Sequence, residues 1–268
     1  MEKLNLEIHK YPRTHHIEGS RLQPGDEDLE SVPFRNIAGR HLVVEEKMDG
    51  ANCAVSFSPK GELLLQSRGH YLTGGPRERH FNLFKQWAQC HVHAFKKVLQ
   101  ERYIMYGEWL YAKHTIFYTD LPHYFMEFDI LDKQRGCFLT TEDRRATLEE
   151  VPVVSVDVLH SGPLSDLSDL TDLAGPSHFI RPEHVEVLRG TSRSLSLDEN
   201  RTLRETDPSA DMEGLYIKVE ENEEVVERYK FIRPSFLTAV VQSESHWLSR
   251  PIVPNQLKPG VDLYAESL

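Results

Sequence analysis

Apolar and polar positions recur along the chain in two periods, and together they predict a mixed fold. Residues 42–46 run apolar and then acidic, as a strand does. Residues 53–58 and 62–67 are strand-like on either side of Pro59-Lys60-Gly61, which predicts a hairpin. Phe81, Phe84, Trp87, Ala88, His91, Phe95 and Val98 recur at helical spacing, so a helix is predicted over 81–101 with its aromatic residues in the core. Beyond it, 103–111 and 124–132 alternate as strands. A short helix is predicted over 141–150 after Thr140-Thr141, and valine-rich 151–158 reads as a buried strand. Residues 213–219 and 224–232 predict a second hairpin around Glu221-Asn222-Glu223, followed by a helix from Pro234 and a Pro-rich tail. The first forty residues mix turn formers with basic groups and read as ordered loop with short strands. Residues 160–212, rich in Ser, Asp and Pro, are the least regular stretch. The sum is an α+β protein without internal repeat or clean boundary, so 1–268 is expected to be a single domain.

Composition narrows the function classes. A hydrophobic content of 39% with 27% charged residues is ordinary for a soluble globular chain, and no apolar run approaches the length of a membrane span. Met1-Glu2-Lys3-Leu4-Asn5 is too charged to open a secretory signal, so a cytoplasmic location is expected. Cys53, Cys90 and Cys137 lie far apart and suggest neither a zinc knuckle nor a redox pair. His91 and His93, two apart on the predicted helix, diverge by roughly 200° and do not form a metal pair. A net charge of −11 argues against coating nucleic acid through a basic surface. It leaves room for an enzyme that grips only the few nucleotides at a strand end.

Lys47-Met48-Asp49-Gly50 follows a predicted strand, so Lys47 and Asp49 share a side while Gly50 permits a turn. A lysine is a nucleophile only when unprotonated, and its pKa near 10.4 must be brought down by desolvation, a cation or a metal. Asp49 is therefore expected to hold hydrated Mg²⁺ or to orient the leaving phosphate, with the metal screening its charge from the lysine. Alone, such a pattern recurs by chance in roughly one chain in thirty of this length, so its company decides. Glu46-Lys47-Met48-Asp49-Gly50-Ala51-Asn52 is followed in order by Ser67-Arg68, Tyr106-Gly107-Glu108, Phe125-Met126-Glu127-Phe128-Asp129, Glu213-Gly214-Leu215-Tyr216-Ile217-Lys218 and Arg228-Tyr229-Lys230. Gly74-Gly75-Pro76-Arg77 lacks the Gly-Lys-Ser/Thr end of a phosphate-binding loop and reads as a flexible turn. Arg13, Arg21 and His16 read equally well as phosphate contacts and as solvated turn residues.

This ordered series, over about residues 40–235, resembles the covalent nucleotidyltransferase superfamily of ATP-dependent ligases and capping enzymes, and within it the RNA ligase 2 branch. Asn52 favours that branch, because DNA ligases and capping enzymes usually carry arginine there. The resemblance implies a nucleotidyltransferase fold, the ATP-grasp-like ligase adenylation domain, with antiparallel sheets and flanking helices. It implies that Lys47 forms a phosphoramidate bond to AMP, that Glu108 binds the ribose hydroxyl and that Phe128 stacks on adenine. Glu46 lines the adenine pocket on this reading, while Asn52 and Arg68 meet phosphate or the RNA-facing side of the adenylate. Glu213 and Asp49 hold the waters of Mg²⁺ or Mn²⁺, Lys230 meets the α-phosphate, and Lys218 and Arg228 complete the nucleotide site. The family's last motif usually reads lysine, any residue, lysine; Arg228 keeps the charge but cannot donate a proton, which favours a clamp over a general acid.

The expected function is ATP-dependent joining of RNA 5′-phosphate and 3′-hydroxyl ends through lysyl-AMP and adenylated RNA. Its rivals are a DNA nick ligase, a capping guanylyltransferase taking GTP, and a non-sealing module that binds ATP and RNA ends. Thirty-eight residues follow Lys230, too few for a separate oligonucleotide-binding barrel, so an end-healing kinase or phosphatase partner is expected to help.

Overall fold

In the computed structural model, which describes residues 7–22, 26, 29–236 and 251–266, one twelve-stranded sheet organises the chain. After the short strands β1 (His15–Ile17) and β2 (Ser31–Val32) come β3 (His41–Glu46), β4 (Ala51–Phe57) and β5 (Leu63–Ser67). A 3₁₀ turn over Pro76–Phe81 leads into α1 (Asn82–Cys90) and α2 (Val92–Leu99). Then follow β6 (Tyr103–Trp109), β7 (Phe125–Asp132), β8 (Cys137–Phe138), α3 (Thr141–Leu148), β9 (Val154–Ser155) and β10 (Val158–Pro163). Helices α4 (Leu167–Thr171), α5 (His184–Ser194) and α6 (Glu199–Arg204) precede β11 (Gly214–Glu221) and β12 (Glu224–Ile232).

The strands lie in the order β10-β3-β11-β12-β8-β7-β6-β4-β5. Every pairing along that path is antiparallel, as the hairpin spacing predicts. Parallel pairing appears only off the path among the described residues, where β1 joins β12 and β2, and β9 joins β7. β3 and β4 follow one another in sequence, yet β11, β12, β8, β7 and β6 lie between them in the sheet. The segment that joins them is Lys47–Gly50.

Two apolar layers hold this sheet. Phe84, Trp87 and Phe95 of α1 and α2 pack with Val55, Phe57, Trp109 and Phe125 of β4, β6 and β7, and Val44, Leu215, Ile217 and Phe231 of β3, β11 and β12 pack with Phe34 and Leu170. Burying a large side chain of this kind stabilises by about 1.5–3 kcal/mol, so these layers carry the fold. The helix predicted over 81–101 is in fact two, broken at His91, whose φ of −99° and ψ of 13° leave the helical range. Its ring lies between Trp87 and Phe95, with centroids 5.9 Å from each.

Three other expectations are corrected. The strand predicted over 151–158 is interrupted: Pro152 has no N–H to give a ladder, Val154–Ser155 pair with β7, and Val158 already belongs to β10, opposite Glu45 of β3. Residues 160–212, expected to be irregular, carry α4, α5 and α6, and α5 buries only His184, Leu188 and Ser192. Gly50 is required by crowding rather than by its turn. It does not take a positive φ, but a Cβ there would lie 2.7 Å from Leu110 Cδ2 and 2.8 Å from the Trp109 carbonyl. The helix expected from Pro234 shows its first residues, Pro234–Phe236, and the rest lies outside the described residues.

Candidate active site

A cavity of about 1590 Å³ opens over the middle of the sheet, and Glu46, Lys47, Asn52, Arg68, Glu108, Phe128 and Lys230 all line it. Pairing brings them together from distant segments. Asn52 on β4 faces Glu108 on β6 directly, and Lys230 on β12 faces Tyr216 on β11. The Lys47 amide donates to the Gly214 carbonyl at 2.9 Å, which docks the nucleophile candidate against the start of β11. Gly214 is obligatory there, since a Cβ would fall 1.8 Å from the Phe231 carbonyl oxygen.

Lys47 Nζ donates to Glu213 Oε2 at 2.6 Å, and its side chain is 24% exposed. Burial alone would lower the pKa of this ammonium, but Glu213, Glu108 and Asp49 outweigh it and raise it. The resting lysine is therefore protonated and held by carboxylates. Burial pushes the Glu108 carboxyl up to about 8 against the pull of Lys47, with Glu213 and Asp49 adding to the rise. Burial likewise takes Glu46 up to about 7, and its Oε1 is a buried acceptor without a hydrogen-bond donor. Asn52 Oδ1 is a second such acceptor. Both belong to residues of the cavity wall.

Asp49 does not line the cavity. Its Oδ2 accepts the backbone N–H groups of Thr115 and Ile116, both at 2.7 Å, and its own amide donates to Tyr118 Oη at 2.9 Å. The Asp49 carboxylate thus ties the segment after β6 to the Lys47 turn.

Phe128 reaches the cavity through a bulge. Tyr106 pairs with Asp129 and Gly107 with Glu127, so Phe128 is the extra residue of β7, and such a bulge re-aims the side chain it carries. The Phe128 carbonyl, out of register, accepts from Lys218 Nζ. Lys218 is 1% exposed and also faces Glu45 at 3.0 Å and Asp129 at 3.3 Å, so it lies under the cavity floor and not on its wall. Arg228 is also withdrawn from the cavity wall, 3.7 Å from Asp129 and stacked 4.0 Å over the Phe138 ring. Arg144 of α3, fully buried against Glu45 and Glu127, completes this internal charge network.

Sequence reasoning missed several wall residues. Lys10, Tyr11 and Thr14 line the cavity together with Tyr216. The Tyr11 hydroxyl bonds Asp129 and Tyr216, and its ring packs edge-on to Phe128 at 5.2 Å. No local pattern marks such a contact across 118 residues. Gly74, Gly75 and Pro76, read as a turn, form one rim of the cavity, with φ of 113° and 121° at the two glycines. Among the described residues, no three His, Cys, Asp or Glu side chains are grouped to hold a metal ion directly, and no helix is long and apolar enough to cross a membrane.

Comparison with known proteins bears on this site. A family profile described as RNA ligase matches residues 40–232. Among solved structures, a lysine-to-alanine mutant of the Naegleria gruberi RNA ligase with ATP and Mn is 16% identical, with a TM-score of 0.56 over 88% of this chain and 59% of its own. A glutamate-to-alanine mutant of the same ligase with AMP and Mn gives the same identity, 16%, a TM-score of 0.56 and the same coverage, 88% and 59%. At that identity the likeness is one of fold, a mixed helix and antiparallel-sheet architecture. The chain spans 59% of the length of these structures. No curated protein sequence matches it.

Proposed function

The chain belongs to the RNA ligase family, and on that premise we propose that it is an ATP-dependent RNA ligase with the nucleotidyltransferase, ATP-grasp-like adenylation fold. The observation that carries this reading is the convergence of Lys47, Glu108, Phe128 and Lys230 on one cavity, with Lys47 Nζ held 2.6 Å from Glu213.

The first step adenylates Lys47. Its ammonium gives a proton to Glu213, the carboxylate already accepting from it. The freed Nζ lone pair forms a bond to the α-phosphorus of ATP. The bond from that phosphorus to the bridging oxygen breaks, and its electron pair leaves with pyrophosphate. Lys230 meets the negative charge that grows on the α-phosphate oxygens. Phe128 stacks on adenine, a contact worth about 1–3 kcal/mol, Glu108 takes the ribose hydroxyl, and the unsatisfied Glu46 Oε1 gives the adenine side of the pocket an acceptor.

In the second step an RNA 5′-phosphate oxygen attacks the same phosphorus, the phosphorus–nitrogen bond breaks, and Lys47 recovers its amine. In the third, a 3′-hydroxyl oxygen displaces AMP from the RNA phosphorus and seals the strand. Asn52 and Arg68 line the cavity wall, and on this reading they meet these RNA-side phosphates. Glu213 and Glu108, beside Lys47, would hold the waters of Mg²⁺ or Mn²⁺, which takes few carboxylates beside substrate phosphates, whereas Asp49, expected to share in this, has its carboxylate committed to the Thr115 and Ile116 amides. When bound, the cation neutralises phosphate oxygens and offsets the carboxylates that keep Lys47 protonated. Lys218 and Arg228 serve the nucleotide from beneath, through the strand that carries Phe128. The RNA ends it needs, 5′-phosphate and 3′-hydroxyl, are ones that an end-healing kinase or phosphatase in the cytoplasm would supply.

Label transfer tests the reading. Protein with Mg²⁺ and α-phosphate-labelled ATP, GTP or NAD is denatured and resolved on a gel beside Lys47→Ala. Label from ATP alone that disappears in the variant establishes adenylation at Lys47; label from no donor, with ATP still bound, overturns the ligase reading.

A further inference from the structure

Between β6 and β7 the chain runs over 110–124 with only isolated bridges, from Ala112 to Pro254 and from Leu121 to Leu257, and residues 112–119 are buried. Buried backbone N–H and C=O groups need partners, and this stretch has no ladder to supply them. Many come from residues 251–258, which lie beyond the matched 40–232. The Val253 carbonyl accepts the Lys113 amide at 2.8 Å, and the Gln256 carbonyl accepts the Leu121 amide at 3.0 Å.

Asn255 stands at the centre of this segment and is buried. Its Oδ1 accepts the Tyr118 amide at 3.0 Å, and its Nδ2 donates to the Leu110 carbonyl at 2.7 Å. Its own amide donates to the Tyr111 carbonyl at 2.9 Å, and its carbonyl accepts from Tyr124 Oη at 2.8 Å. The side-chain pair of bonds needs an acceptor and a donor together; aspartate of the same size lacks the donor, and leucine lacks both.

The residues that Asn255 holds are those on which the Lys47 turn rests. Tyr118 Oη accepts the Asp49 amide at 2.9 Å, while Asp49 Oδ2 accepts the amides of Thr115 and Ile116. Leu110 lies so close to Gly50 that a Cβ there would come 2.7 Å from its Cδ2. Two routes therefore run from Asn255 to the turn, one through Tyr118 to Asp49 and one through Leu110 to Gly50. Leu110, Tyr118 and Asn255 themselves do not line the cavity.

We infer that Asn255 is a positioning residue for Lys47, latching the Leu110–Tyr118 stretch so that the turn presents Lys47 Nζ beside Glu213. The inference rests on the reading of Lys47 as the adenylated residue and extends the machinery to the C-terminal segment. Misplacing a reacting group by about 1 Å costs about 10²-fold in rate. Phe128 and Glu108 stand on β7 and β6, so nucleotide affinity does not depend on the latch.

Asn255→Leu removes both side-chain bonds, and Asn255→Asp removes only the donor. In the full chain at saturating ATP, each is expected to slow single-turnover adenylate transfer about ten- to hundredfold, with the Kd for ATP unchanged. Should Asn255→Leu fail to fold, Asn255→Asp carries the same tests. Leu170→Ala, a truncation in the core against β3, β11 and β12, should lower Tm without slowing transfer, which separates misplacement from instability. Tyr118→Phe cuts one route, so the double variant with Asn255→Leu should lose less than the product of the two single losses. A full product, or a raised Kd for ATP at an unchanged rate, overturns the inference. Competitive acetylation with acetic anhydride, without nucleotide, reads the amine apart from ligase chemistry. Lys47, held by Glu213, should react slowly beside exposed Lys60 in the wild type and severalfold faster in both Asn255 variants. Unchanged Lys47 reactivity there overturns the latch; changed reactivity in a protein that forms no lysyl adduct sinks the ligase reading alone.

Discussion

Lys47 Nζ and Glu213 Oε2, 2.6 Å apart, join the turn after β3 to the residue before β11. The contact fixes the amine in place and also keeps it charged, since Glu213 is the strongest of the carboxylates that raise its pKa. Adenylation is therefore expected to speed up with rising pH across the alkaline range. Glu213→Gln removes one raising charge, so its profile should move toward lower pH while its maximum falls, because the proton acceptor is gone. Single-turnover label transfer at fixed Mg²⁺ from pH 6 to 10 checks this, and a variant profile superimposable on the wild type would deny Glu213 any hold on the amine.

Gly50→Ala should damage the site through crowding alone. Its Cβ would also lie 3.0 Å from Glu108 Cγ, so either Glu108 or the turn bearing Lys47 must move. Overpacking of this kind costs about 1–3 kcal/mol, and displacement of reacting groups by an ångström costs about 10²-fold in rate. Thermal melting and label transfer on one preparation separate the two effects. Wild-type adenylation in a destabilised variant would show that the turn absorbs the methyl elsewhere.

Lys218→Met distinguishes support from contact. The variant strips the Phe128 carbonyl of its donor and leaves Glu45 and Asp129 buried with less compensation, and breaking a buried pair costs about 3–5 kcal/mol. Urea unfolding should show that loss, with a raised KM for ATP in whatever folds. A lysine whose only work was to touch nucleotide would raise KM with an unchanged unfolding midpoint.

Glu46 contributes a pH dependence to stability. Burial, reinforced by Asp157 and opposed by a Ser177 hydrogen bond, lifts its folded-state pKa to about 7, above the ordinary carboxyl value of 4.5. At low pH it is protonated whether the chain is folded or not, and it contributes nothing. As pH rises from about 4.5 to about 7 the unfolded chain ionises first, so stability falls across that window by up to about 3 kcal/mol. Glu46→Gln should thus raise Tm at pH 8.5 and change it little at pH 4, in the ligand-free protein. Equal shifts at both pH values would trace the gain to packing.

The elements of this fold were legible where period and punctuation are local. β3, both hairpins, β6, β7 and the Thr140-capped α3 all follow from alternation and turn residues; Thr140 Oγ1 accepts the Asp143 amide at 3.2 Å. The helices between 160 and 212 were not, because polar residues dominate them and α5 shows no broad apolar stripe. In the site, order along the chain selected the residues that line the cavity, but nothing local separates a lysine in the cavity from one beneath it. Lys218 and Lys230 stand on the two strands of one hairpin. Only their distant partners, Asp129 of β7 for one and Asp26 of the loop after β1 for the other, set them apart.

The position of Lys47 between β3 and β4 makes this amine a reporter on the whole sheet. Those two strands meet only through the Lys47–Gly50 segment and are otherwise connected by way of β11, β12, β8, β7 and β6. Glu213, Glu108 and Lys230 cannot surround the amine until every one of those pairings has formed. During refolding, competence to take a labelled adenylate should emerge after the spectroscopic signal of secondary structure, as the last and most exacting measure that the chain is complete.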